Sequence, residues 1–171
     1  MRIWACIFFK RHKTYERRFT KKIDQSIKLI RSTCEKRGVV EVAYSGGKDS
    51  DVVLQLVKES GIQYKTIYKN TTIDPPGTIK HAIEVGAEIV RPKKSFFELI
   101  SKKGFPNSFQ RFCFKVLKEY KILDTVILGI RACESIKRKK RYREPTQCRV
   151  WSKKVKSYQI FPILTWTDED V

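Results

Sequence analysis

Acidic residues are scarce. The 171 residues include 18 Asp and Glu against 37 Lys and Arg, a formal net charge of +19. Such an excess repels itself unless an anion offsets it, and nucleic acid is the commonest offsetting partner. A small anionic molecule needs far fewer charges; the alternative is a solvated basic surface. Long apolar runs are also missing. Ile3–Phe9 is the longest, well short of the roughly 20 residues of a membrane span. No small-residue cleavage site follows it, so nothing marks export and a cytoplasmic location is expected, with no membrane contact. The run itself reads as an edge strand or an apolar lead-in. There is no internal repeat and no low-complexity linker, which excludes a repeat array. The five cysteines, at 6, 34, 113, 133 and 148, include no CxxC pair and are odd in number. They read as thiols or ligands rather than a disulfide framework. Neither histidine, His12 or His81, stands beside an acid-rich motif. His81 reads as a packing or surface residue of a helix.

What is present suits one compact domain. Apolar residues are 41% of the chain and aromatics 12%, enough for a core without disulfides or metals. Residues 10–22 are basic. Ile23, Ile27, Ile30 and Cys34 then recur at helical spacing, and Gly38 supplies the stop. Residues 39–44 form a β-branched strand, and Asp51–Glu59 a helix. Strands follow at 63–68, 88–91 and 125–129, with helices at 78–85, 95–102 and 112–120 between them. Ser95 and Glu98 make a capping-box pattern. Strands alternating with helices imply an α/β, Rossmann-like, mostly parallel sheet with helices on both faces. Ligands of such sheets sit beyond the carboxyl ends of the strands, so the loops at 45–50, 69–77 and 130–149 should share one rim. Residues 131–149 carry eight Lys or Arg and few apolar residues, and are expected to be a mobile loop.

The first of these loops carries the chemistry. Ser45-Gly46-Gly47-Lys48-Asp49-Ser50 lies between a strand and a helix. Glycines there allow a tight turn and close approach to a ligand. The helix start offers unpaired N–H groups and a positive dipole end. Ser45 and Ser50 add hydroxyls and Lys48 a charge, which together make an anion cradle. A carboxylate at Asp49 suggests either a Mg²⁺ contact or a helix cap. The Walker form of phosphate loop, G-x-x-x-x-G-K-[ST], is not met.

The S-G-G-K-D-S tract resembles the signature of the PP-loop, or N-type ATP pyrophosphatase, superfamily of HUP-type folds. Over residues 38–171 the chain is similar to the phosphoadenosine phosphosulfate (PAPS) reductase family within it. The tract Tyr68–Thr78 stands where that family has an acidic-Thr-Gly strand end, with Thr72 in the place of the usual Gly. Arg111-Phe112-Cys113-Phe114-Lys115 resembles the R-x-C-C element, with Phe114 replacing the second cysteine. Gly129-Ile130-Arg131-Ala132-Cys133-Glu134-Ser135 matches G-x-R-x-x-E-S. Pro162–Val171 matches P-[IL]-x-x-W-x-x-x-D-V. The family usually continues beyond this point into a helix and a cysteine-bearing tail, so the chain is expected to comprise a basic N-terminal segment and helix, 1–37, and a nucleotide-binding domain, 38–171, without that C-terminal part.

The resemblance implies an adenine nucleotide, PAPS, APS or ATP, bound by Ser45, Gly46, Gly47, Lys48, Asp49, Ser50, Thr71, Gly129 and Arg131. Lys48, Asp49, Arg131 and Cys113 are the candidate catalytic residues. Arg111 and Lys118, seven apart, and the basic Lys137 and Arg138 are candidates for the substrate's anionic part. Glu134 either orients Arg131 or is solvated. Asp49 is the candidate Mg²⁺ contact. An iron–sulfur cluster is not supported by the cysteine spacing, although Cys113, Cys133 and Cys148 offer three ligands. Three activities compete. One is a reductase releasing sulfite from an adenylyl sulfate with a thioredoxin-like reductant. The second is an ATP pyrophosphatase that adenylates tRNA or DNA, with residues 137–143 tracking the backbone. The third is a nucleotide- or nucleic-acid-binding module without turnover. A homodimer could complete the site.

Overall fold

The computed structural model describes residues 2–107, 112–118, 123–150 and 156–171, with side chains from Tyr15 onward except those of residues 113–115. Helix α1 (Arg2–Cys34) opens the chain. Ile3–Phe9 is part of it, not an edge strand. No turn signal separates that run from the basic segment, and a helix satisfies its own backbone where a strand needs a partner. Ile30 and Cys34 are buried on its inner face, and Gly38, at φ +66°, turns the chain out of it. Burial lifts the Cys34 thiol to about 11, so it is an inert core group.

The alternation follows as expected: β1 (Val40–Tyr44), α2 (Lys48–Ser60), β2 (Tyr64–Lys69), α3 (Thr78–Glu84), β3 (Glu88–Val90), α4 (Phe96–Lys103), α5 (Phe112–Leu117), β4 (Thr125–Leu128), α6 (Ile136–Arg141), β5 (Thr146–Val150) and β6 (Lys156–Ile160). One six-stranded sheet results, in the order β3-β2-β1-β4-β6-β5. All pairs are parallel except β5 with β6. This is the α/β, Rossmann-like architecture. Ser95 caps α4 by accepting from the Glu98 N–H, and Glu98 reaches back to Ser95 N.

Residues 131–149 are not a loop throughout. They hold a 3-10 turn (Ala132–Glu134), α6 and β5. The Ser135 hydroxyl caps α6 by accepting from the Arg138 N–H at 3.1 Å. A short surface helix and an edge strand bury little, so their composition carries almost no apolar signal. β6 escaped notice for a related reason, since its buried positions include the polar Ser157 and Gln159.

The two faces of β1 differ. Val40, Val42 and Tyr44 point into the main core with Val53, Leu54 and Val57 of α2, Ile30 of α1 and Ala82 of α3. Glu41 and Ala43 point the other way and line a cavity. Glu41 is wholly buried in a strand of otherwise apolar neighbours, and its carboxylate pairs with Lys69 Nζ of β2 at 2.8 Å and accepts the Leu123 N–H at 3.0 Å.

The C-terminal segment returns across α1. Trp166 is buried edge-on to Phe19, 5.6 Å between centroids. The Ser26 hydroxyl donates to the Pro162 carbonyl and the Tyr15 hydroxyl to that of Glu169, each at 2.7 Å. Lys22 pairs with Asp170, whose carboxylate also accepts from the Thr167 N–H and hydroxyl. Burial alone would raise the Asp170 carboxyl, but Lys22 and Thr167 outweigh it and hold the group below the usual carboxylate range. A depressed folded-state value means the stabilisation is full above the unfolded value of about 3.9 and is lost as pH falls through the folded one. Urea unfolding should therefore show Asp170→Asn less stable than the parent by about 2 kcal/mol at pH 7. The gap should close as the pH drops below about 4.

Candidate nucleotide-binding site

The strand order reverses its direction of growth between β1 and β4, which opens a crevice at their carboxyl ends. Ser45–Ser50 leaves β1 there, and Gly129–Arg131 leaves β4 beside it. Gly46 takes φ +76°, and a Cβ on it would stand 2.6 Å from Thr78 Cγ2. A side chain at Gly129 would meet the Asp49 backbone oxygen at 3.1 Å and carbon at 3.2 Å. The bare backbone of Gly129 is thus what lets the first turn of α2 lie against the end of β4. Ser50 is buried and braces the loop from within. Its hydroxyl accepts from the Gly47 N–H at 3.1 Å and donates to the Gly47 carbonyl at 2.7 Å, with the Ser45 hydroxyl 3.3 Å away.

Arg131 is the buried charge of the site, 3% exposed. Its Nε lies 3.0 Å from Asp49 Oδ1 and its Nη1 2.7 Å from Asp168 Oδ1. Asp168 also approaches Lys48 Nζ at 3.7 Å. Burial by itself would lower the Arg131 pKa; Asp168 and Asp49 reverse this and raise it. The same contacts, Arg131 first and then Lys48, hold Asp168 below the usual carboxylate range. Cys133 is exposed, with its Sγ 3.5 Å from Arg131 Nη1 and 3.2 Å from the Trp166 carbonyl.

Beside the loop lies a cavity of about 320 Å³. Ser45, Ser50 and Gly129 line it, together with Ala43, Leu128 and Glu41 of the sheet. Thr71 borders it, but the Thr71 N–H and hydroxyl are both bonded to Asp74, at 2.8 and 2.6 Å. Burial would raise the Asp74 carboxyl; those bonds, Tyr68 and the nearby Lys118 pull it below the usual range. Burial, and then Asp74, push the Tyr68 phenol upward. The loops expected on one rim do meet here. Residues 40–171 match the phosphoadenosine phosphosulfate reductase domain family. The chain belongs to this family. It is also 28% identical, over a 179-residue alignment, to an uncharacterized protein of Methanocaldococcus jannaschii. That alignment covers 96% of this chain and 42% of the relative, so the chain spans less than half the relative's length.

The remaining candidates of this PAPS reductase family domain are dispersed. Lys118 follows α5 and borders the cavity, while Arg111 and the side chain of Cys113 lie outside the described residues. Lys137 is exposed on α6; Arg138 lines the cavity and pairs with Glu134. Glu134 therefore serves Arg138, and the partners of Arg131 are Asp49 and Asp168. Cys148 is exposed on β5, and among the described residues no three His, Cys, Asp or Glu converge as metal ligands. No described helix is long and apolar enough to cross a membrane.

Three features escaped the sequence reading. Asp168 stands at an unspecified position of its motif, so nothing in the pattern singled it out. Glu41, a lone acid inside a β-branched strand, was a legible signal. His81 does meet an acid after all, because α3 brings its Nε2 to 3.3 Å from Asp51 Oδ1, and the Tyr44 hydroxyl bonds the same carboxylate. Burial, and then Asp51, raise the Tyr44 phenol.

Thr72 shows how the family's glycine position is filled here. It keeps the left-handed conformation, φ +67°, at a β-branched residue. Its hydroxyl accepts the Phe96 N–H at 2.8 Å, serving an orphan donor at the start of α4. The close contact at Gly129 yields a direct expectation. Gly129→Ala should lower stability by about 1–3 kcal/mol, since the Asp49 backbone must yield. Chemical denaturation measures the loss, and an unchanged midpoint would remove the packing role.

Proposed function

We propose that this chain binds the phosphates of an adenine nucleotide, PAPS, APS or ATP, on Ser45–Ser50 and uses it in sulfur metabolism or sulfur transfer. The observation behind the reading is the convergence of Lys48 and the buried Arg131 on the Asp168 carboxylate, at the loop whose Ser45 and Ser50 line the cavity. A buried guanidinium and an exposed lysine beside a helix start favour a multiply charged oxyanion, and a guanidinium can meet it bidentately. A Mg²⁺ ion fits here only as a companion of the phosphates, with Asp49 as its contact from the loop. Such ions need few protein carboxylates when substrate phosphates supply the rest.

In the reductase form, a cysteine thiolate attacks the sulfur of the adenylyl sulfate. The S–O bond breaks, AMP or its 3′-phosphate leaves with the electron pair, and the sulfite group stays on the cysteine. A thiol of a thioredoxin-like protein then attacks that cysteine sulfur, releasing sulfite and forming a mixed disulfide. A second thiol of the same reductant resolves it, which frees the cysteine and leaves the reductant as its disulfide. Cys133 has its Sγ 3.5 Å from Arg131 Nη1 and is a described cysteine placed for this role.

The basic helix α6 favours a second reading. Lys137, Lys139, Lys140 and Arg141 are exposed on it, while Arg138 faces the cavity. A tRNA or DNA strand along α6 would bring an acceptor oxygen to the α-phosphorus of ATP, with pyrophosphate leaving. Charge developing on that leaving group is what Lys48, Arg131 and a Mg²⁺ ion would stabilise. A homodimer remains compatible with either form.

Pyrophosphate release from Mg-ATP, with and without tRNA or DNA, should be measured beside sulfite release from PAPS and APS with thioredoxin. Sulfite release lost in Cys133→Ser establishes the reductase; pyrophosphate release stimulated by nucleic acid establishes adenylation. In either case Lys48→Ala and Arg131→Ala should weaken nucleotide binding by at least about tenfold. Failure of the folded parent to bind any of the three nucleotides would falsify the reading.

A further inference from the structure

We propose that Asp168 is a displaceable internal anion: its carboxylate occupies the oxyanion position between Lys48 and Arg131 until a multiply charged ligand expels it. This rests on the phosphate reading above and adds a residue that decides which anions the site accepts. Three observations carry it.

Arg131 and the carboxylate differ in how firmly they are held, while the Lys48 side chain is 57% exposed. Arg131 is 3% exposed, and the Ala132 N–H next to it donates to the Leu164 carbonyl at 2.8 Å. Its Nε lies 3.0 Å from Asp49 Oδ1, a contact separate from the one at Nη1. Asp168, by contrast, has a side chain 79% exposed, and its described polar contacts are Arg131 Nη1 at 2.7 Å and Lys48 Nζ at 3.7 Å. Swinging it out exposes little that was buried, and water is at hand to receive it.

The backbone that presents Asp168 is fixed independently of those contacts. Asp170 closes the turn through the Thr167 N–H and hydroxyl, Lys22 of α1 holds Asp170, and Tyr15 holds the Glu169 carbonyl. The turn can stay docked on α1 while the Asp168 side chain rotates away. The carboxylate is thus returned to the same place whenever the ligand leaves.

The electrostatics then set a threshold. A monocarboxylate or other single anion exchanges one charge for one and gains nothing over Asp168. A pyrophosphate or nucleotide polyphosphate brings more charge and more acceptor oxygens to the same two cations. The expelled carboxylate is solvated, so it offers little resistance to such a ligand.

The test uses inorganic pyrophosphate, without metal, titrated calorimetrically into the whole chain, with acetate as the single-charge control. Asp168→Asn preserves shape and removes the charge; Glu169→Gln makes the same charge change one residue on, where the side chain is exposed. Asp168→Asn should bind pyrophosphate at least about threefold more tightly than the parent, while Glu169→Gln matches the parent. Asp168→Ala should show the same gain, and all three variants should keep the parent's thermal midpoint within about 2 °C. Equal gains in Asp168→Asn and Glu169→Gln would reduce the effect to general charge and overturn the proposal. Weaker binding in Asp168→Asn would overturn it too, making Asp168 a brace for Arg131. Those two results leave the phosphate reading standing. Parent and variants that fold but bind neither pyrophosphate nor ATP would bring down both.

Discussion

A guanidinium buried at the end of the central strands organises this site. Arg131 cannot sit in the interior alone, because an uncompensated charge there is far costlier than a paired one. Asp49 supplies the inner partner and Asp168 the outer one. Each comes from a different part of the chain: Asp49 from the first turn of α2, Arg131 from the end of β4, and Asp168 from the C-terminal turn. The Arg131–Asp49 pair therefore ties the Ser45–Ser50 loop to the switch point of the sheet, and Asp168 meets the same guanidinium from a turn that α1 holds in place. Gly129 belongs to the same arrangement, since α2 can approach β4 only where no Cβ intervenes.

The sheet divides its labour by alternation. On β1 the even-numbered residues Val40, Val42 and Tyr44 build the core with α1, α2 and α3, and the odd-numbered Glu41 and Ala43 line the cavity. One strand thus carries both the hydrophobic anchoring of the domain and part of the cavity wall. The Glu41–Lys69 pair keeps two charges in the sheet without leaving either bare. Helix α1 extends this economy to the terminus, where Phe19 on Trp166 and Lys22 on Asp170 hold the segment that presents Asp168.

The family and the α/β class were legible before any coordinate. The S-G-G-K-D-S tract, the G-x-R-x-x-E-S element and the C-terminal motif appear in order, and hydrophobic runs alternate with helical periods. Helix α4 was readable down to its capping box. Elements that bury little were not. The edge strand β5 and the short helix α6 looked like a loop, because periodicity reports burial and they have little of it. The run Ile3–Phe9 departs from expectation for the opposite reason: its apolar, β-branched and aromatic residues fit a strand, but it lies within α1 and among the described residues no strand pairs with it.

The sequence by itself determined the glycine-rich loop, its place between strand and helix, the family, and the excess of positive charge. These depend on local chemistry: glycine torsions, helix starts and the period of apolar residues. Tertiary structure alone decided which groups meet. It turned Ser50 inward to brace the loop and gave Thr71 to Asp74. It brought His81 to Asp51, and it placed Asp168 against two cations that lie 37 and 120 positions away along the chain. Ion pairs act over a few ångströms of space and are indifferent to separation along the chain, so no pattern in the sequence could record them.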